Sequence, residues 1–535
     1  MNFESFNFPS RRSNIIAANG IVATSQPLAS QAGLDILKAG GNAIDAAIAT
    51  VATLCVVEPC STGIGGDAFA LIWHAKDKKL YGLNASGPAP AKLSADLVRS
   101  KGNETFPALG GLAVTVPGSL RGWELALNRF GSMELDSIIK QAIQYAEFGY
   151  PVSEKIALQW KRSTEKMSNQ ADSRRVWLPN GNAPKPSQFF KNVEFAQTLK
   201  TIAENGYDSF YKGQIADQIV KAVQDDEGVL TQDDLYNYQA EWVDPISVSY
   251  GDGFIFHESP PNGQGLTALL ALNIASGFDL PNLGYGTADY YHALMEAMKL
   301  AFIDAHAYIA DPKKVDVPIS GLLSQSYARE RAGLIDMASA LTPTPGNPNH
   351  HGDTVYLTVG DSEGNMVSWI QSLYMGFGSG LTAGNTGVQL QNRGANFSLE
   401  EDHPNEAAPG KRPFHTIIPG FITKDGQAFS SFGVMGGFMQ PQGHLQVGIN
   451  MTQFNMDPQT ALDAPRFQWL KDKEFALETA VPDSIRQELA KRGHTFFPPD
   501  KPMHYGGGQA IVRNPASGVY VGGSEPRNDG TAVGW

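Results

Sequence analysis

Residues 342–359 read TPTPGNPNHHGD and then TVYLTV, running from Thr342 to Asp353 and from Thr354 to Val359. The first part is dense in Pro, Asn, Gly and His. It suits neither helix nor strand, because Pro fixes φ and removes backbone donors. The second part has the pattern of a strand, Asp361-Ser-Glu-Gly-Asn365 makes a turn, and Met366 to Tyr374 makes a second strand. A flexible linker therefore runs directly into a β-hairpin.

That junction has chemical meaning. A hydroxyl is a weak nucleophile unless a base sits beside it. If the nucleophile is the first residue of a chain, its own α-amine is the base, with a pKa of roughly 7.7–8.0. Such a residue must be released by cleavage just before a Thr, Ser or Cys, where a slack loop meets a rigid strand. Asp353-Thr354 meets that demand, although Thr is common in strands and pattern alone leaves a structural Thr as the alternative. Ser379, in GFGSG, lacks the Gly-x-Ser-x-Gly elbow.

Working outward, apolar residues recur at helical spacing from Gln26 to Lys38 and stop at Gly40-Gly41. A second helix carries Ile44, Ala47, Ile48, Val51 and Leu54 and closes at Pro59; its Ala-rich sequence predicts burial on most sides. Gly63-Ile-Gly-Gly-Asp67 follows, then two strand-like runs, AFALIWHA and KLYGLNAS, joined at Asp77-Lys78. These glycines follow a helix and precede a strand, the reverse of a dinucleotide fingerprint. Residues 115–310 read as mainly helical, most clearly at Leu120–Phe130, Leu135–Phe148 and Tyr290–Ile309, with a loop at Pro260–Gly265. Asp304, His306 and Asp311 are close enough to suggest a metal, but a solvated helix end is the plainer reading. From Tyr374 to Trp535 the chain reads as strands and Gly-rich turns. Within it, SLEEDHPNEAAPG, between Phe397 and Lys411, is either a lid over a pocket or a passive surface loop.

The 535 residues are 42% hydrophobic and 18% charged, an ordinary globular balance, and the net charge of -13 argues against a nucleic-acid surface. No run has the length of a membrane span, and Arg11-Arg12 have no apolar core behind them, so we expect no secretory signal and a cytoplasmic protein. Cys55 and Cys60, in VATLCVVEPC, lack a second Cys/His pair at zinc spacing and read as buried small hydrophobes.

An ordered set of stretches resembles the γ-glutamyltransferase (glutathione hydrolase) family over nearly the whole chain. They are Gly40–Ala47, Gly63–Gly66, Val116–Ser119, Thr354–Asn365, Phe377–Gly380, Lys411–Pro413, Met435–Gly437, Ala464–Arg466 and Gly523–Arg527. The resemblance implies an α+β fold, a four-layer αββα sandwich of the N-terminal-nucleophile hydrolase type. It implies self-cleavage into a large piece, 1–353, and a small piece, 354–535, which stay together as a heterodimer and form one catalytic unit; a further dimer is left open. It also implies an acyl-enzyme on Thr354 with water or an amine as acceptor, and neither a metal nor an organic cofactor. Ser372 matches a second hydroxyl residue that contacts the nucleophile, and Gly436 and Gly437 match the pair whose N–H groups hold the oxyanion.

The matched substrate pocket departs from the family pattern. Ser86 stands where glutathione-active members place an Arg for the glutamyl α-carboxylate. Tyr374 replaces an Asn, Arg393 and Asn396 replace the Gln and Asp that bind the α-amine, and His415-Thr416 replace a Ser-Ser pair. A cation is lost on one wall and a carboxylate on the other, while Arg393 is gained. Arg suits a carboxylate and repels an ammonium. Three readings follow: γ-glutamyl hydrolysis or transfer on glutathione-like amides; an amidohydrolase or acylase of the oxamate or glutaryl-amide type; and a non-catalytic binding protein.

Overall fold

The computed structural model describes residues 12–342, 353–498 and 503–535, so most of the linker, 343–352, lies outside the described residues. The hairpin forms as read, with Asp353–Asp361 antiparallel to Met366–Tyr374. It lies in the middle of a seven-stranded sheet ordered Thr531–Gly534, Gly20–Thr24, Asp353–Asp361, Met366–Tyr374, Asp67–His74, Lys79–Ala85 and Glu241–Val243. A second seven-stranded sheet runs Ile15–Ala17, Tyr520–Ser524, Gly507–Arg513, Gln427–Met435, Gly420–Lys424, Phe254–Glu258 and Ile246–Ser249.

The period-2 alternation of the hairpin sorts its side chains between two interfaces. Val355, Leu357, Val359, Val367 and Trp369 join the core beneath the outer helices. Tyr356 and Ile370 instead pack with Ile417 and Met435 between the sheets. Helices close both outer faces, giving the αββα sandwich. On the hairpin's sheet lies Ala43–Val57, every residue of it buried. Its start is fixed by a reciprocal cap, in which Asn42 accepts from the backbone of Asp45 and Asp45 from that of Asn42. The other sheet is covered by Gly265–Ala275, Ala288–Tyr308 and Met439–Thr452.

Two expectations are corrected. The stretch read as mainly helical also holds the strands Glu241–Val243, Ile246–Ser249 and Phe254–Glu258, which supply an edge to each sheet. The C-terminal part contains the long buried helix Met439–Thr452, besides Pro458–Asp463 and Asp483–Lys491. Pro441 and two glycines hide that helix from a propensity reading. Pro441 falls in its first turn, where Pro is tolerated, and Gly443 is needed because a Cβ there would meet Val434 at 2.5 Å.

Candidate active site

Thr354 is buried between the sheets, and its Oγ donates to Ser372 Oγ at 3.2 Å. Ser372 Oγ also accepts the N–H of Tyr374 at 2.7 Å. Tyr374 turns into the left-handed region to make that bond, with φ of 82°, a conformation rare outside glycine. Neighbouring contacts hold it there. Asp353 pairs with Tyr374 on one side, while on the other Met375 N donates to Asn392 Oδ1 at 3.2 Å.

Opposite, the strand Gln427–Met435 ends in Gly436 and Gly437, with φ of 127° and 61°, angles that exclude most side chains. Among the described residues neither N–H meets an acceptor. The turn is clamped from behind, since Gly437 O accepts Gln264 Nε2 at 2.9 Å and Gln440 N at 3.2 Å. Gln440 then reaches back until its Nε2 lies 3.5 Å from Thr354 Oγ. The hydroxyl, the paired serine and the glycine turn therefore share one place.

Next to them is a cation. Arg393 is fully buried and lies over the Tyr374 ring, 4.3 Å from its centroid. Its Nη1 donates to Thr416 Oγ at 2.7 Å, while Nε and Nη2 are buried without a partner among the described residues, as are Tyr374 OH and Asn396 Nδ2. Burial lowers the Arg393 pKa to about 10, resisted chiefly by the charge of Asp67. No ion-pair contact joins the two, so the guanidinium keeps a free edge.

Asp67 ties the pocket wall together. Its Oδ1 accepts Gly87 N and Gln391 Nε2, both at 3.0 Å, and its Oδ2 faces His415 Nε2 at 3.1 Å. Burial pushes its carboxyl up to about 7, with Arg393 the largest opposing influence. His415 is held well below the usual imidazole range by burial and then by Arg393. It is therefore neutral, with the Nε2 proton donated to Asp67.

The site residues read from the sequence divide accordingly. Thr354, Ser372, Tyr374, Gly436 and Gly437 come together, Arg393 and Thr416 form the adjoining wall, and Asn396 lies at its end, held through its carbonyl by Asn405 Nδ2 at 2.6 Å. His415 stands behind that wall as a partner of Asp67. Ser86 is committed elsewhere, its hydroxyl donating to Asn84 Oδ1 at 2.7 Å. Three contributors escaped the sequence reading: Asp67, Gln264 and Gln440. The charged residue closing Gly63–Asp67 was the available signal for the first; the two glutamines leave no such mark.

Asp304, His306 and Asp311 do not converge on a metal, and the two carboxylates are buried rather than solvated. Asp304 pairs with Arg331 at 2.9 Å, Asp311 accepts the N–H of Arg412 at 2.9 Å, and the His306 ring stacks between Phe302 and Phe414. Phe397, just before the segment left open as lid or surface loop, and Ala407 within it pack into a small core with Leu93, Val98 and Phe106. Cys55 and Cys60 are buried, as expected.

Residues 29–535 match the family model described as gamma-glutamyltranspeptidase. The chain is similar to the "Glutathione hydrolase-like YwrD proenzyme" of Bacillus subtilis (strain 168), 37% identical over 97% of this chain and 99% of that protein. It is also similar to the "Acylase ACY 1 proenzyme" of Pseudomonas sp. (strain SE83), 35% identical over 96% of this chain and 93% of that one. Among solved structures, cephalosporin acylase from Bacillus halodurans superposes with a TM-score of 0.93 at 48% identity, covering 100% of this chain and 99% of that one.

Proposed function

The chain belongs to the gamma-glutamyltranspeptidase family, and on that premise we propose that it is a self-cleaving hydrolase of amides whose acyl chain carries a carboxylate and needs no α-ammonium. Cleavage between Asp353 and Thr354 yields the pieces 1–353 and 354–535 and frees the amine of Thr354. Thr354 Oγ then attacks the amide carbonyl as that amine takes its proton. The N–H groups of Gly436 and Gly437 hold the oxyanion, Ser372 keeps the hydroxyl in place, and the amine leaves. Water resolves the acyl-enzyme.

One observation carries the substrate reading: Arg393 is buried over the ring of Tyr374, whose N–H is bonded to Ser372, and two of its nitrogens have no partner among the described residues. Burying an unpaired charge costs several kcal/mol, and a substrate carboxylate on that free edge would offset it. An α-ammonium there would be repelled, and Asn396, unlike a carboxylate, cannot compensate. The second reading, γ-glutamyl hydrolysis or transfer, is favoured by the likeness to a protein named glutathione hydrolase-like.

Glutaryl and γ-glutamyl 4-nitroanilide differ only in the α-ammonium and so separate the two. We expect kcat/KM to favour the glutaryl compound by about 100-fold, the effect of roughly 3 kcal/mol of differential binding. A preference for the γ-glutamyl compound would hand the site to the second reading. Thr354→Ala should remain a single uncut chain without activity.

A further inference from the structure

We propose that Gln440 is a catalytic residue, whose side-chain N–H steadies Thr354 Oγ as the leaving group when the acyl-enzyme is hydrolysed. The proposal rests on Thr354 being the nucleophile but is independent of which acyl group the pocket prefers.

Three observations support it. Gln440 follows the glycine turn by three residues and is fully buried, so its side chain has no solvent alternative. Its Oε1 accepts the backbone N–H of Ile418 at 2.9 Å. A backbone N–H can only donate, so the amide cannot be flipped, and the atom facing Thr354 Oγ at 3.5 Å is the donor Nε2. Finally, the Oγ proton is directed to Ser372 Oγ, leaving a lone pair of Thr354 Oγ for Gln440. A separation of 3.5 Å is the outer limit of such a bond, and catalytic bonds tighten as charge grows on the acceptor.

The direction of charge flow says which step gains. During acylation Oγ gives electrons to the carbonyl carbon, and a donor on Oγ is of no help. During deacylation water forms the new C–O bond and passes its proton to the Thr354 amine. The tetrahedral adduct then collapses, the C–Oγ bond breaks, its electron pair returns to Oγ, and Oγ takes the proton back from the ammonium. Negative charge grows on Oγ only in this second half, where the Gln440 N–H points. The ester formed between Asp353 and Thr354 Oγ during self-cleavage has the same leaving group.

The test compares wild type with Gln440→Leu, which removes the donor, and Gln440→Glu, which keeps an acceptor for Ile418 but turns an oxygen toward Thr354. With whichever 4-nitroanilide the wild type turns over, both variants should release one equivalent of nitroaniline per site in a burst. Its rate should lie within about threefold of wild type, followed by turnover slowed about 10- to 100-fold, as expected for a lost charge-stabilising donor. Intact mass should show the acylated small piece, and hydroxylamine should restore turnover. A variant that does not process should still be split at Asp353 by hydroxylamine, because the trapped species is an ester. Burst and steady rates falling together, turnover like wild type, or an uncut chain inert to hydroxylamine would each overturn the role. Processing or activity persisting in Thr354→Ala would instead remove the nucleophile assignment beneath it.

Discussion

At the scale of single residues, the site is organised by charges that face each other without touching. Asp67 and Arg393 lie in the same buried wall, yet each spends its hydrogen bonds elsewhere, on Gly87, Gln391 and His415 for one and on Thr416 for the other. This spacing leaves the guanidinium available while a counter-charge stays nearby. Binding should therefore depend on pH. Burial sets the Asp67 carboxyl at about 7, so it is largely protonated below that pH and ionised above it. A bound carboxylate on Arg393 repels ionised Asp67 and raises its pKa further, so binding takes up a proton and weakens as pH rises through about 7. The other groups facing Asp67 do not titrate there: His415 is held neutral by burial, and burial also raises the Tyr211 and Tyr238 hydroxyls. Glutarate, which has no amide to cleave, reports this without the titration of the catalytic amine. Its inhibition constant should rise several-fold between pH 6 and pH 8 in the wild type and stay level in Asp67→Asn, which keeps an oxygen for Gly87 and Gln391. A wild-type constant flat across that range would show that Asp67 does not couple to the bound carboxylate.

At the scale of elements, the end of the strand bearing Ser372 is seated by glycine as well as by side-chain packing. A Cβ on Gly66 would lie 2.3 Å from Ser372 O, and one on Gly65 would lie 2.1 Å from Gln389 O. Gly66→Ala should therefore push Asp67–His74 away from Met366–Tyr374 at the nucleophile's partner. We expect a loss of about 1–3 kcal/mol, the usual cost of overpacking, and at least a tenfold fall in kcat. Gly321→Ala, whose Cβ would meet nothing within 4 Å, is the control and should leave both unchanged; thermal melts and steady-state rates check the pair. If Gly66→Ala melts and turns over like wild type, the seating argument is wrong. The same segment shows what the sequence could disclose. Its glycines announced a close approach but not to what, because the partner strand, Met366–Tyr374, lies too far along the chain for local pattern to bridge. The hairpin and the two N-terminal helices were legible from periodicity and turn chemistry, while the proposal of Thr354 as nucleophile came from the family resemblance. The strands between 241 and 258 are short, with little alternation to read, and two of them are sheet edges. Met439–Thr452 is buried on all sides and carries Pro and Gly, so neither moment nor propensity betrays it. Gln440 acts through a direction fixed only by Ile418, which no spacing rule supplies.

At the scale of the whole molecule, the proposed pieces are interleaved. The hairpin of the small piece is inserted between Gly20–Thr24 and Asp67–His74 of the large one, so a cut before Thr354 breaks a peptide bond without opening either sheet. A second tie lies far along the chain, where His292, Glu296 and Lys299 of the large piece meet His494 of the small one, all four fully or almost fully buried. His292 donates from Nε2 to Asp336 O at 3.0 Å, so its Nδ1 is the acceptor for the Nε2 proton of His494 at 2.8 Å. Lys299 Nζ stands 2.6 Å from Glu296 Oε1, and the same pair binds both backbone groups of Leu341, at 3.1 and 3.0 Å. Among the described residues these two histidines and Glu296 form the one grouping with metal-ligand chemistry. Lys299 already supplies its cation, so it reads as a clasp. Both histidines must stay neutral there. Burial, aided by His292 and Lys299, takes the His494 pKa from 6.5 down to about 3. Below about pH 6.5 the unfolded chain therefore binds a proton that the native clasp refuses. Stability is fully present above that pH and falls as pH drops toward 3, by up to about 1.4 kcal/mol per pH unit for this one group. His306 and His257, lowered by burial to about 4, add to the same trend. The melting temperature should therefore fall steeply between pH 6.5 and pH 4. His494→Gln, whose amide can still donate to His292 Nδ1, should melt lower than or close to wild type at pH 7.5 but lose less on going to pH 4.5. Parallel curves for the two proteins would mean that acid sensitivity arises elsewhere. In the processed enzyme the same titration should decide when the pieces part, since the clasp joins them: wild-type pieces should separate on a sizing column at a higher pH than those of His494→Gln.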